Sequence, residues 1–177
     1  DAAGGVMRYL EEHDIGFDVG DTKVPLVCQT DLFDLTVGDA PTRPDAAMAY
    51  QACVNAETGN YRDGNYGAGT GATVGKLMGM PHCMKSGIGS YAVQVGPLQV
   101  GAVVAVNALG DIYDWRTGRK AAGLLADDGK TFLDSEDVIL QQLDAAGEKF
   151  VGNTTIGAVF TNAKFDKAHL CKIAAMT

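Results

Sequence analysis

Alternation of hydrophobic and polar positions is clearest near the end of the chain, in the run Thr155 to Thr161. Ile156, Ala158 and Phe160 alternate with Thr155, Gly157 and Val159, a period of two in β-forming residues, and Asn162 closes the run with a turn former. The pattern predicts a strand. A second block, Ser86 to Asn107, consists of two β-rich runs divided by Gly96 and Pro97, which predicts a hairpin with its turn written in. Helical spacing accounts for other stretches. Residues 5–13 place Val6, Met7 and Leu10 on one side, and residues 43–56 place Met48, Ala52 and Val54 on or near one face, with Asp45 near the start as a cap. Asp134 or Ser135 can cap a further helix through about Ala146, with Ile139, Leu143 and Ala146 as its stripe, and a last helix follows the strand. Residues 23–35 read as a strand leading into a loop. The glycine-rich segment 59–80 ends in an expected helix from about Ala72 to Met80, 114–119 reads as a turn, and 126–135 as a loop.

Hairpin strands with helices gathered before and after them predict an α+β fold in one domain, residues 1–177, without internal repeats. Composition agrees: 46% hydrophobic residues and a mean hydropathy of +0.01 describe a globular chain with a core, and no apolar run approaches the ~20 residues of a membrane helix. A net charge of −8, from 14 basic and 22 acidic residues, leaves no basic stripe for phosphates, so no nucleic-acid partner is expected and a neutral or cationic small substrate fits better. Cys28, Cys53, Cys83 and Cys171 lie far apart without CxxC pairs, so neither zinc nor a disulfide framework is indicated; free thiols suit a cytoplasmic location. Neither a metal nor another cofactor is expected. His13, His82 and His169 are scattered, and chemistry without histidine is expected. Both ends read as cut, since the chain opens directly into one helical pattern and closes inside another, and a fragment lacking both ends is expected.

Residues 67–76, "GAGTGATVGK", superficially resemble a phosphate loop but lack its first glycine, where Thr70 stands, and its hydroxyl after the lysine, where Leu77 stands. A dinucleotide fingerprint fits only loosely, through Gly67, Gly69 and Ala72. The glycines allow close backbone approach, and a loop feeding a helix could aim amide N–H groups at an oxyanion. A packed crossover loop is the plainer reading. Asn107, at the end of an apolar strand, could donate to an oxyanion or simply form a turn.

The polar stretch Gly152-Asn153-Thr154-Thr155 precedes the last strand. A threonine hydroxyl needs a base, and one solution is to become an N-terminus whose own α-amine, with a reference pKa of about 8, accepts the proton. The chain would then cut itself before the threonine, the hydroxyl attacking the preceding carbonyl to give an ester that water releases. Gly152 would ease that geometry. An ordinary strand edge is the alternative.

Five blocks decide the weight: "RPDAAMAYQAC" (43–53), "GNYGAGTGATVGK" (64–76), "MKSGIGS" (84–90), "VGAVVAVNALGD" (100–111) and "GNTTIGAVFTNA" (152–163). Together they resemble the self-processing aminopeptidases related to the D-aminopeptidase DmpA and the β-peptidyl aminopeptidases, peptidase family S58. The resemblance implies a four-layer αββα sandwich, of the type shared with ornithine acetyltransferases, and self-cleavage into 1–153 and 154–177. By the same resemblance Asn153 and Thr154 flank the cut, Thr154 is the nucleophile and its amine the base, Asn107 serves the oxyanion, and Lys76 lies beside the nucleophile. Phe33 and Asp34, with Gly69 and Gly71, line the substrate pocket; some relatives carry a Tyr near position 33. Family chains run longer at both ends, with a motif supporting the nucleophile beyond residue 177, and assemble as homo-oligomers. The activity implied is release of N-terminal residues from short peptides, amides or esters. Two alternatives stand beside it: an acyltransferase of the ornithine acetyltransferase type, and a non-enzymatic metabolite-binding protein.

Overall fold

A computed structural model of the chain describes residues 1–57, 59–141 and 152–176. Helices α1 (Ala2–Glu12) and α2 (Ala46–Val54) pack together at the start. Their contact depends on Gly5, where a Cβ would lie 1.9 Å from the carbonyl oxygen of Ala46; Arg8 stacks on Tyr50, which donates to Glu12. Asp45 caps α2 as expected, its carboxylate accepting from the Met48 amide at 2.8 Å. Between the helices, β1 (Phe17–Asp18) and β2 (Lys23–Val24) form a small antiparallel pair. The strand expected over 23–35 stops there, because Pro25 has no N–H to continue a ladder.

The glycine-rich segment departs from expectation. In place of a helix over 72–80 it forms β3 (Thr73–Val74), paired with β4 (Met84–Lys85), and a short 3₁₀ turn at Met80–His82. Gly75 and Gly79 hold φ of +68° and +93°, outside the helical region, and the Gly75 and Lys76 amides donate to the Gly110 and Leu109 carbonyls at 2.8 and 2.9 Å. Pairing across the molecule thus satisfies the backbone that helical spacing would have satisfied locally.

The main sheet is β5 (Ile88–Val95), β6 (Leu98–Asn107) and β9 (Thr154–Thr161), in the order β5-β6-β9, antiparallel throughout. Val95 pairs with Leu98 across Gly96-Pro97, with Gly96 at φ +58°, the Gly-first two-residue turn that suits strand twist. Before β9 returns to the sheet, β7 (Ile112–Tyr113) and β8 (Lys120–Ala122) make a second hairpin around the 114–119 turn. Helix α3 (Ser135–Gln141) follows, capped by Asp134, which accepts from the Glu136 amide at 2.9 Å. Leu143 and Ala146, assigned to its stripe, lie outside the described residues. Helix α4 (Lys167–Ala174) closes the chain, capped by Asp166.

Mixed helix and sheet make this an α+β arrangement, as the pattern predicts. Among the described residues the buried apolar side chains are Ala72, Val74, Leu77, Ala105 and Leu124, and buried with them are the polar Thr73, Asn107 and Ser135. The most deeply buried residues therefore lie on and around β3, at the end of β6 and between β8 and the start of α3. The exposed flanks of β5 and β9 lie outside this region.

Candidate active site

Asn107 is the last residue of β6, carried into the interior by the apolar run Val103 to Val106, and none of it is exposed. A buried carboxamide left unpaired would cost about 1–3 kcal/mol per polar group, and here every side-chain polar atom has partners. Oδ1 accepts from the Thr73 amide at 3.1 Å, the Thr73 hydroxyl at 3.3 Å and the Lys76 ammonium at 2.9 Å. Nδ2 donates to the Phe33 carbonyl at 2.9 Å and the Gly152 carbonyl at 3.1 Å. Donors on one side and carbonyls on the other define which way the amide points.

Lys76 follows the left-handed turn at Gly75 and reaches back to the same residue. Its Nζ donates to the Asn107 backbone carbonyl at 3.0 Å, to Oδ1, and to the Gly152 carbonyl at 3.3 Å. Burial pushes its pKa below the ordinary lysine value, while charge on the neighbouring Cys83 opposes that. Three acceptors match the three N–H donors of the charged form.

Thr154 opens β9 and stands directly opposite Asn107 in the ladder, whereas Thr155 pairs with Val106. Directly opposed residues in an antiparallel pair project to one face with Cβ atoms about 5 Å apart, so the register puts Thr154, rather than Thr155, on the face of Asn107. Just upstream, Gly152 holds φ +85°, and a Cβ there would come within 2.7 Å of the Phe33 ring. Asn153, between them, has a buried Nδ2 without a hydrogen-bond partner among the described residues.

The structure thus brings together Thr154, Asn153, Asn107, Lys76 and Phe33. Asp34 lies beside this group against Gly71, whose Cβ would fall 2.0 Å from Oδ2. Gly69 packs elsewhere: a Cβ there would sit 2.3 Å from the Ile88 amide and 2.4 Å from the Gly64 carbonyl, at the bridge joining those residues. Sequence reasoning missed Thr73, whose amide and hydroxyl both hold Asn107; no spacing marks a donor that acts mainly through its backbone. It assigned Phe33 to the substrate pocket and overlooked its carbonyl. Among the described residues no group of three or more His, Cys, Asp or Glu is placed to hold a metal, and the four cysteines are free.

The model of peptidase family S58 matches residues 1–177. The chain belongs to this family. It is 37% identical over 182 residues to a protein of Mycobacterium leprae named an uncharacterized aminopeptidase, covering 98% of this chain and 48% of that relative. A Mycobacterium tuberculosis protein of the same designation is 36% identical over 179 residues, with 98% and 49% covered. A 6-aminohexanoate-oligomer endohydrolase of Kocuria is 27% identical over 177 residues, again with 98% and 49% covered. The chain spans about half the length of the curated relatives it matches. These names are those of hydrolases, so neither the acyltransferase nor the binding-protein alternative is favoured.

Proposed function

We propose that this chain belongs to a self-processing hydrolase that releases N-terminal residues from short peptides, amides or esters. Membership of a peptidase family and the names of the relatives support the hydrolase class. The observation that carries the mechanism is the pairing of Thr154 with Asn107, together with the Lys76 ammonium on the Asn107 carboxamide.

In this reading the Thr154 hydroxyl attacks the Asn153 carbonyl, the amide nitrogen leaves as the free amine of Thr154, and the resulting ester is hydrolysed by water. The products are a chain ending at Asn153 and one beginning at Thr154. The new amine then takes the proton of the Thr154 hydroxyl as substrate is attacked. Lys76, a cation beside it, lowers the pKa of that amine and keeps it unprotonated nearer neutral pH. Asn107 supplies a hydrogen bond to the developing oxyanion. In the uncut chain the Gly152 carbonyl engages both Asn107 Nδ2 and Lys76, one peptide before the bond to be cut. Departure of residues 152 and 153 frees these donors for substrate. Phe33, Asp34, Gly69 and Gly71 are assigned to the substrate side.

The same reading includes the four-layer αββα sandwich, assembly as a homo-oligomer and a cytoplasmic location, the last in keeping with four free cysteines. No helix among the described residues is long and apolar enough to cross a membrane. The test is the intact mass of the purified protein under denaturing conditions beside its Thr154→Ala variant. Two pieces for the wild type, the second starting at Thr154, and one for the variant are expected; an uncut yet active variant sinks the mechanism.

A further inference from the structure

Behind Lys76 lies a buried ion pair that the chemistry above does not use. The Asp111 carboxylate, its side chain 3% exposed, accepts from Lys120 Nζ at 2.7 Å, the Leu124 amide at 2.8 Å, the Ser135 amide at 3.1 Å and the Ser135 hydroxyl at 2.8 Å. Lys120, 11% exposed, donates also to the Leu133 carbonyl at 2.5 Å. Four donors fill the acceptor sites of one carboxylate and tie the β7–β8 hairpin and the start of α3 to one point. Burial pushes the Asp111 carboxyl upward, but the hydrogen bonds from Lys120, Leu124 and Ser135 outweigh it and hold its pKa below the ordinary range.

The two residues before Asp111 carry the Lys76 turn. Leu109 and Gly110 present the carbonyls that receive the Lys76 and Gly75 amides. A Cβ on Gly75 would lie 2.1 Å from the Gly123 carbonyl carbon, and one on Gly123 would lie 2.1 Å from Asp111 Oδ1. Bare backbone at both positions lets the Asp111 network bear directly on the turn that aims Lys76. We propose that Asp111 and Lys120 form a positioning pair that holds the Lys76 ammonium on Asn107 and the Gly152 carbonyl, where its charge also stabilises the oxyanion formed as Thr154 attacks Asn153, and so sets the rate of self-cleavage. The proposal rests on the reading of Thr154, Asn107 and Lys76 given above.

Two variants test it. Asp111→Asn removes the charge, and Ser135→Ala, which keeps both charges, serves where the first fails to fold. The first readout is the rate constant for conversion of freshly purified uncut chain, kept separate from the fraction that converts. Positioning predicts complete conversion with a rate constant lowered roughly tenfold for Ser135→Ala, and further for Asp111→Asn. A scaffold role predicts an unchanged rate constant in a smaller converting fraction, and that result overturns the proposal. The second readout is the titration of Lys76 by NMR in the Thr154→Ala background, which does not depend on cutting. Cys83 is the titratable group whose charge reaches Lys76, and it is the same in all variants. Ser135→Ala should raise the Lys76 pKa toward the ordinary lysine value as the ammonium leaves its buried place; an unmoved titration overturns the proposal. A wild-type chain that never cuts would refute the self-processing reading, and the Lys76 titration would then decide the positioning claim alone.

Discussion

Asn107 and Thr154 face each other at the paired ends of β6 and β9, the last residue of one strand against the first of the other. A hydroxyl is thereby set beside a carboxamide whose orientation is defined by five hydrogen bonds, three accepted from Thr73 and Lys76 and two donated to the Phe33 and Gly152 carbonyls. Replacing Asn107 by Ala should slow substrate turnover by roughly 10²–10³, the usual cost of one oxyanion donor. It should also destabilise the fold, since a buried amide and carbonyl lose partners at about 1–3 kcal/mol each. Initial rates and thermal unfolding of the same preparation separate the two effects.

Lys76 should act through the charge it brings. On the proposed mechanism, replacing it by Met removes a cation from near the amine that cleavage creates at Thr154, whose pKa then rises, so the acid limb of the pH–kcat profile should move upward by roughly one unit. A profile that drops in height without moving would assign Lys76 a role other than tuning the amine.

Gly152 is expected to be intolerant of a side chain. Gly152→Ala meets both the positive φ and the Phe33 ring at 2.7 Å, and self-cleavage should slow sharply. Phe33→Ala in the same chain should restore part of the rate, the ring being one of the two obstacles. A time course of the cut in the single and double variants measures the coupling.

Acid should weaken the fold through Asp111. Its carboxyl has a folded pKa below the unfolded value of about 3.9, so its contribution is complete above that pH and is lost as the pH falls through the folded pKa. Lys120 is opposite in sign. Burial lowers its pKa, but the hydrogen bond and charge of Asp111 raise it overall, so its contribution is complete below about pH 10.4 and lost above the folded pKa. Unfolding free energies of Asp111→Ala, extrapolated from denaturant titrations, should lie about 3–5 kcal/mol below wild type at neutral pH, with the gap closing in strong acid.

How much of this was legible in the residues depends on where each hydrogen bond goes. The hairpin around Gly96-Pro97, the β9 strand and the Asp45 cap were readable because their partners lie within a few positions or their periodicity is local. The stretch from Ala72 to Met80, which spacing reads as helix, forms none for the opposite reason: its Gly75 and Lys76 amides pair with residues 110 and 109, more than thirty positions away, and Gly75 and Gly79 adopt φ values that spacing does not reveal. The site shows the same division. Thr154 and Asn107 stood out from a family-like pattern, whereas Thr73, the Phe33 carbonyl and the Asp111 network contribute through backbone atoms or through contacts made only when distant segments meet.

Thr154 is the first of eight residues in β9 paired to β6, ending with Thr161 against Val100. A break in the chain immediately before it severs a covalent link at the threshold of the ladder and leaves all eight rungs standing. The two products of such a break remain one folded body held by the sheet, so their separation would require unzipping β9 from β6.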